Sequence, residues 1–256
     1  MKITIIGAGN MGGAIARGLL ATGAVPSEIT CTARRHETLS GYEKLGFGVT
    51  TDNRQAVVEA DMVIFAVKPW LMEDVVKGVA PYMNSRQIVT SVAAGITFDQ
   101  LSQWLGGAYQ MFRVIPNTAV EYGSGVTFIS SCNADPCVRK MVLEMFAAMG
   151  YALEVQENMM AAGTALASCG IAYAMKYIQA ASQGGESLGF DPEQARKIVE
   201  YTVKGAAELL LATGKEPQVE IDKVTTPGGM TQKGLQAMEQ AGFSGAVRDG
   251  LDACLK

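Results

Sequence analysis

Apolar positions fall into two regimes along this chain. In the first, short apolar runs recur, separated by segments of helical period. The runs lie at residues 3–6 (ITII), 29–33, 48–50, 61–67 (DMVIFAV), 87–92, 109–115, 125–130 and 151–155. The run at 61–67 is continuous rather than alternating, as expected of a strand buried on both faces. Residues 14–20, 36–45, 52–59 and 134–149 carry helical patterns. Ile15, Ala16 and Leu19 share one side of the first. Thr51 or Asp52 is placed to cap the third. Pro69 opens a further helix where its missing N–H costs nothing. Strands alternating with helices predict an α/β unit over residues 1–157, with a doubly wound, mostly parallel sheet.

From residue 158 the pattern is helical only, which predicts an all-α unit over 158–256. Residues 158–188 are rich in Ala, Gly, Ser and Met. As one helix they would span about 45 Å. Lys176, Gln179 and Gln183 exclude a membrane span. Small residues at Gly163, Ala167, Gly170 and Ala174 would let another helix approach. So long a helix is hard to bury in one chain, so it is expected to pack on a partner copy. The competing reading is a kinked pair of helices inside one subunit. Asp191 and Pro192 cap and start the next helix, which runs to about residue 212.

Composition narrows the function. Of 256 residues 48% are hydrophobic, enough for a sizeable core. The net charge of −4, without a basic run, argues against a nucleic-acid partner. The first apolar run is too short for a signal peptide, and no apolar span reaches membrane length. Five cysteines without a C-x-x-C suggest reduced thiols in a cytoplasm. The single histidine, His36, stands in a polar stretch and reads as a surface residue. Neither a metal site nor a Ser/His/Asp triad has raw material.

The first strand runs into GAGNMG, which places Gly7, Gly9 and Gly12 at G-x-G-x-x-G spacing, with Asn10 and Met11 between. Strand, glycine turn and helix are the context a dinucleotide-binding loop requires. Gly7 permits the turn, Gly9 admits a pyrophosphate, and Gly12 lets helix and strand pack closely. The second strand ends in TARR rather than in an acid. A guanidinium suits a 2′-phosphate, so NADPH is expected over NADH, with Thr32 and Arg34 as contacts. Two ordinary surface arginines are the bland alternative. Ligands of such sheets sit beyond the carboxyl ends of the strands. That rule puts Ala66, Val67, Lys68, Pro69, Ala93, Ala94, Gly95 and residues 116–118 on one rim, at the nicotinamide end.

One stretch of the second half stands out, DKVTTPGGMTQKGL at residues 222–235. Its Pro-Gly-Gly turn exposes backbone N–H groups at a helix N-terminus, a small anion site suited to a carboxylate. Thr231 adds a hydroxyl. Gly228, Gly229, Met230 and Thr231 line this candidate anion site. The alternative is a helix connector that needs glycine for its geometry.

GAGNMG (7–12), AVKP (66–69), RVIPNT (113–118) and DKVTTPGGMTQKGLQAME (222–239) together resemble pyrroline-5-carboxylate reductases over nearly the whole length. The resemblance implies a Rossmann domain followed by a helical dimerisation domain. It implies NADPH-dependent reduction of 1-pyrroline-5-carboxylate to L-proline, with NADH as a weaker donor. It implies a homodimer of interleaved helices, in some members built into decamers, with the active site between the cofactor domain and the helical domains. Carried onto this chain, Thr226, Gly229, Met230 and Thr231 hold the substrate carboxylate and ring nitrogen. Asn53 and Arg34 lie near the adenosine ribose, and residues 66–69 near the nicotinamide. One departure stands at residues 165–173, where the family's ALSGSGPAY reads ALASCGIAY, with Ile171 at the proline position. Two rival readings remain. One is a related imine or 3-hydroxyacid reductase, which would use a lysine on the long helix, here Lys176. The other is an NADPH-binding protein without catalysis.

Overall fold

The computed structural model describes residues 1–255. It divides into two compact units, Met1–Ser168 and Cys169–Lys256. The division expected at 157/158 coincides with the first turn of the helical stretch, whereas compact packing divides within it.

The first unit is an eight-stranded sheet. Its strands are β1 (Ile3–Ile6), β2 (Ile29–Thr32), β3 (Gly48–Thr50), β4 (Met62–Phe65), β5 (Ile88–Ser91), β6 (Gln110–Pro116), β7 (Gly125–Cys132) and β8 (Gly150–Glu154). They lie in the order β3-β2-β1-β4-β5-β6-β7-β8. Every pair is parallel except β6 and β7, which run antiparallel from Met111↔Cys132 to Pro116↔Thr127. Both faces are covered, and β4 shows why its sequence is continuously apolar. Met62 and Ile64 join a core with Ile5, Ile15 and Phe112. Val63 and Phe65 join the opposite core with Ile6, Met72 and Leu101.

The helices of this unit are α1 (Asn10–Ala21), α2 (Ser40–Lys44), α3 (Asn53–Val57), α4 (Met72–Val79), α5 (Phe98–Leu105), α6 (Pro136–Ala147) and α7 (Met160–Gly163). Several bounds differ from the sequence reading. Helix α1 starts at Asn10 rather than 14, because Gly9 already serves as its N-cap. The helix expected over 36–45 divides into a 3-10 turn (His36–Thr38) and α2. Pro69 opens a 3-10 turn (Pro69–Leu71) that runs into α4. Asp52, not Thr51, caps α3 by accepting the Arg54 N–H at 2.9 Å. Helix α5 is an addition to the sequence reading; Thr97 and Gln100 form its capping box and Gly106 (φ 68°) ends it.

The stretch 158–188 is helical but not one α-helix. A 3-10 turn (Glu157–Met159) leads into α7, then a π turn (Thr164–Cys169), then α8 (Gly170–Ser187). Ser168 Oγ donates to the Pro116 carbonyl at 3.1 Å, and Thr164 Oγ1 to the Met160 carbonyl at 2.7 Å. The π turn widens the helix where the ALASC residues stand, so the expected small-residue stripe does not continue straight across it. Gly163 has a different use: a Cβ there would press on the Phe128 ring of β7, at 2.7 Å.

The second unit adds α9 (Pro192–Thr213), α10 (Pro217–Lys223), α11 (Met230–Gln240) and α12 (Phe243–Ala253). Asp191 caps α9 through the N–H groups of Glu193 (2.9 Å) and Gln194 (3.3 Å). Gly185 of α8 lets Ala195 of α9 come close: a Cβ there would lie 3.0 Å from the Ala195 Cβ. Burial is sparse. Helix α8 buries only Ser182, α9 only Ala195, and α11 and α12 bury no residue. Among the described residues no helix is long and apolar enough to cross a membrane.

Candidate functional site

Strand β1 has β2 on one side and β4 on the other, so the chain reverses its direction of travel across the sheet there. The crevice beyond the carboxyl ends of β1 and β4 is where such sheets bind ligands. Gly7 leaves β1 with φ +98°. Its N–H and that of Ala8 donate to the Thr32 carbonyl at 3.1 and 2.7 Å. A Cβ on Gly7 would press on the Ala66 carbonyl oxygen at 2.9 Å, and one on Gly12 would strike the Gly7 carbonyl oxygen. A Cβ on Gly9 would meet nothing. The turn is therefore crowded on its protein side and open at Gly9, as a pyrophosphate cradle must be. No side chain caps α1. The N–H groups of Asn10, Met11 and Gly12 have no intrahelical acceptor and carry the positive end of the helix dipole.

Three residues that the sequence reading missed hold this turn. Tyr42 Oη donates to the Ala8 carbonyl at 3.3 Å and accepts from Arg17 Nη1 at 3.1 Å. Gly13 has no room for a side chain because the Tyr42 hydroxyl occupies it. Arg17 then grips Glu121 with two parallel bonds, Nε to Oε1 at 2.7 Å and Nη2 to Oε2 at 2.8 Å. That guanidinium holds the Glu121 carboxyl below the usual carboxylate range. Residues 17, 42 and 121 are too far apart in the chain for any local pattern to join them.

At the adenosine end Thr32, expected as a ligand contact, is turned inward. It is buried, its hydroxyl donates to Asn53 Oδ1 at 2.6 Å, and the same oxygen lies 3.4 Å from the Gly7 N–H. It locks the glycine turn to Asn53. Asn53 is half-buried, and its amide NH₂ remains able to donate. Arg34 and Arg35 are exposed and make no ion pair among the described residues. Two guanidinium groups without an ion-pair partner fit a 2′-phosphate. His36 is exposed next to them.

At the other end Ala66 is fixed by its N–H bond to the Ile6 carbonyl at 2.8 Å, Val67 is half-buried, and Lys68 and Pro69 are exposed. Ala93 departs from expectation. It is buried, and its N–H lies 3.3 Å from Ser91 Oγ. The other two residues expected on that rim, Ala94 and Gly95, are exposed, the latter at φ +80°. Asn117 is also buried, its Oδ1 accepting from Ala119 (3.2 Å) and Val126 (3.3 Å). It shapes the end of β6 and presents little to a ligand.

The Pro-Gly-Gly turn of the second unit joins α10 to α11. Gly228 takes φ +72° and gives its N–H to Gln232 Oε1 at 2.7 Å. Gly229 gives its N–H to the Thr226 carbonyl at 2.9 Å. The two glycines therefore shape the turn, and their amides are engaged within it. The N–H groups of Met230, Thr231 and Gln232 open α11 without intrahelical acceptors. Thr226, Met230 and Thr231 are exposed. Lys176, the lysine a 3-hydroxyacid reductase would use, donates to Gln179 Oε1 at 2.8 Å on its own helix.

A family model described as pyrroline-5-carboxylate reductase dimerisation matches residues 157–256. Another, described as NADP oxidoreductase coenzyme F420-dependent, matches residues 2–95. The chain is 35% identical to the pyrroline-5-carboxylate reductase of Arabidopsis thaliana, over 100% of this chain and 93% of that protein. It is similar to the solved pyrroline-5-carboxylate reductase of Coxiella burnetii, with a TM-score of 0.89 and 32% identity over 99% of this chain and 95% of that one. A Plasmodium falciparum pyrroline carboxylate reductase, solved with NADP bound, gives a TM-score of 0.90 and 25% identity over 99% of this chain and 95% of that one.

Proposed function

The chain belongs to the pyrroline-5-carboxylate reductase family, and from that premise we propose that it reduces 1-pyrroline-5-carboxylate to L-proline with NADPH. The observation that carries this reading is the likeness over the whole chain, which takes in both glycine turns. When bound, the nicotinamide supplies a hydride from its C4 to the imine carbon.

The residues of the chain bind and orient. The N-terminus of α1 would hold the pyrophosphate at Gly9, and Arg34 would hold the 2′-phosphate. Asn53 faces the ribose, with Thr32 behind it. The N–H groups of Met230, Thr231 and Gln232 take the substrate carboxylate. The Thr231 hydroxyl orients the ring nitrogen. The turn at 224–232 contains no His, Asp or Glu to act as an acid. The imine therefore reacts as its iminium, protonated in solution or on binding, and catalysis consists of positioning.

Two copies form a homodimer through the second unit. The apolar side chains of Met175, Ile198, Leu211 and Met238 are exposed there, in the region the dimerisation model matches. Size-exclusion chromatography with light scattering reads the mass of a dimer, or a multiple of it where dimers assemble further. The five cysteines include no C-x-x-C, which suits a cytoplasmic enzyme.

Thr231→Ala tests the site. Turnover of pyrroline-5-carboxylate falls about 10-fold or more, as for loss of one hydrogen bond made mainly in the transition state. Lys176→Ala changes turnover little. Unaltered kinetics in Thr231→Ala remove Thr231 from the reaction.

A further inference from the structure

Two cysteines bracket the helices of the second unit. Cys169 ends the π turn and caps α8, and Cys254 follows α12 as its C-cap. Cys169 and Tyr173 stand four residues apart, on one face of the helical stretch. Tyr173 reaches to α12, donating its hydroxyl proton to the Gly250 carbonyl at 3.0 Å. The same hydroxyl lies 2.8 Å from Cys254 Sγ. A phenol has one proton to give, so Cys254 is the donor in this second contact. Cys254 is also the group that neighbours Cys169, one helical turn before Tyr173. Two thiols and one hydroxyl thus form a cluster between the start of α8 and the end of α12.

The other cysteines are placed differently. Cys31 is sealed in the core, where burial pushes its thiol up to about 12. Cys132 is half-buried at the end of β7, and Cys137 is exposed on α6. In the cluster, Cys254 is exposed and Cys169 half-buried. Burial first, then the Cys254 contact, raises the Cys169 thiol above its ordinary value. Cys254 is the more exposed of the two, so it is the sulfur an oxidant meets first.

We propose that Cys169 and Cys254 form a reversible disulfide when the protein meets a peroxide. The Cys254 sulfur attacks one peroxide oxygen. The O–O bond breaks, one water leaves, and the sulfur becomes a sulfenic acid. Cys169 then gives up its proton and attacks that sulfur. The S–S bond forms and the hydroxyl leaves as a second water. The two thiols lose two electrons and two protons in all, and the peroxide is reduced to two waters. A dithiol such as dithiothreitol reverses the step by exchange. The Tyr173–Gly250 bond survives closure, and the thiol proton donated to Tyr173 is lost. The bond ties the start of α8 to the end of α12 and encloses every helix of the second unit, so it restricts the unfolded chain.

The test uses the full-length protein, treated with hydrogen peroxide, alkylated, digested without reduction and analysed by mass spectrometry. The expected result is loss of two hydrogens in the intact mass and a cross-linked peptide joining Cys169 to Cys254, both reversed by dithiothreitol. The thermal midpoint of the oxidised form rises by roughly 5 °C. Cys169→Ser and, at the more exposed position, Cys254→Ser each abolish the cross-link and the rise, while Cys137→Ser keeps both. A cross-link between other cysteines, or oxygen added with no cross-link, overturns the proposal, as does a midpoint rise that persists in Cys254→Ser. The readout is covalent and is independent of the reductase reaction.

Discussion

The turn at residues 7–9 and the turn at residues 226–229 play the same local part. Each ends in a glycine N-cap and opens a helix that no side chain caps. Their surroundings are opposite. Helix α1 buries Gly12, Gly13, Ala14, Ile15, Ala16, Gly18 and Leu19, and the turn before it is pressed by Ala66, Val67 and Tyr42. Helix α11 buries nothing, and Met230 at its first position is 91% exposed. The first turn is held by tertiary packing in its own unit. The second is held by its own hydrogen bonds, from Gly228 to Gln232 and from Gly229 to Thr226. A substitution in the first should therefore cost fold and binding together, and one in the second should cost binding alone.

The largest expected effect breaks that comparison directly. Gly12→Ala puts a methyl group into the Gly7 carbonyl. It removes measurable NADPH binding and lowers the thermal midpoint by about 5 °C or more. Gly229→Ala meets the Thr226 hydroxyl, which rotates away in an exposed turn. Its midpoint stays within about 2 °C of the parent, NADPH binds unchanged, and KM for the imine rises about 10-fold. Equal losses of stability in the two variants would show that the turns are not built differently.

Next in size is the cofactor preference. Arg34→Asp replaces an unpaired cation with an anion. It weakens NADPH about 10- to 100-fold and changes NADH only a few-fold, measured by equilibrium titration with each. A parent protein that binds NADH better than NADPH would contradict the role given to Arg34.

The smallest effect belongs to the clasp behind the first turn. Arg17 lowers the Glu121 carboxyl, so the pair stabilises the folded state at pH values above the ordinary carboxylate range. That contribution is lost as pH falls through the depressed folded value. Glu121→Gln should cost at most about 1 kcal/mol at neutral pH, discounted for the exposure of Arg17. Urea titrations of parent and variant should converge in acid. A gap that widens there would assign the wrong sign to the pair.

These differences also explain what the linear sequence could reveal. The parallel strands are legible because β4 and its neighbours are apolar on both faces. The two glycine turns are legible because their geometry is local. Tyr42, Arg17 and Glu121 are not, since their contacts join distant parts of the chain. Thr32 and Ala93 belong to the expected loops but face inward instead of toward a ligand. A motif gives position along the chain, and burial decides which atoms face out. Helix α5 does carry a readable signal, the cap formed by Thr97 and Gln100. The π turn at Thr164–Cys169 has no such sign, because its residues suit an ordinary helix as well.

We propose that the two turns serve one reaction, a hydride passed from NADPH to a cyclic imine. The direct measurement uses NADPH carrying deuterium at the transferable C4 position together with pyrroline-5-carboxylate. One deuterium is expected in each proline formed, at the carbon of the former C=N bond, with one NADPH oxidised per proline. Proline formed without deuterium from either C4 face, or NADPH oxidised with no proline formed, would contradict it.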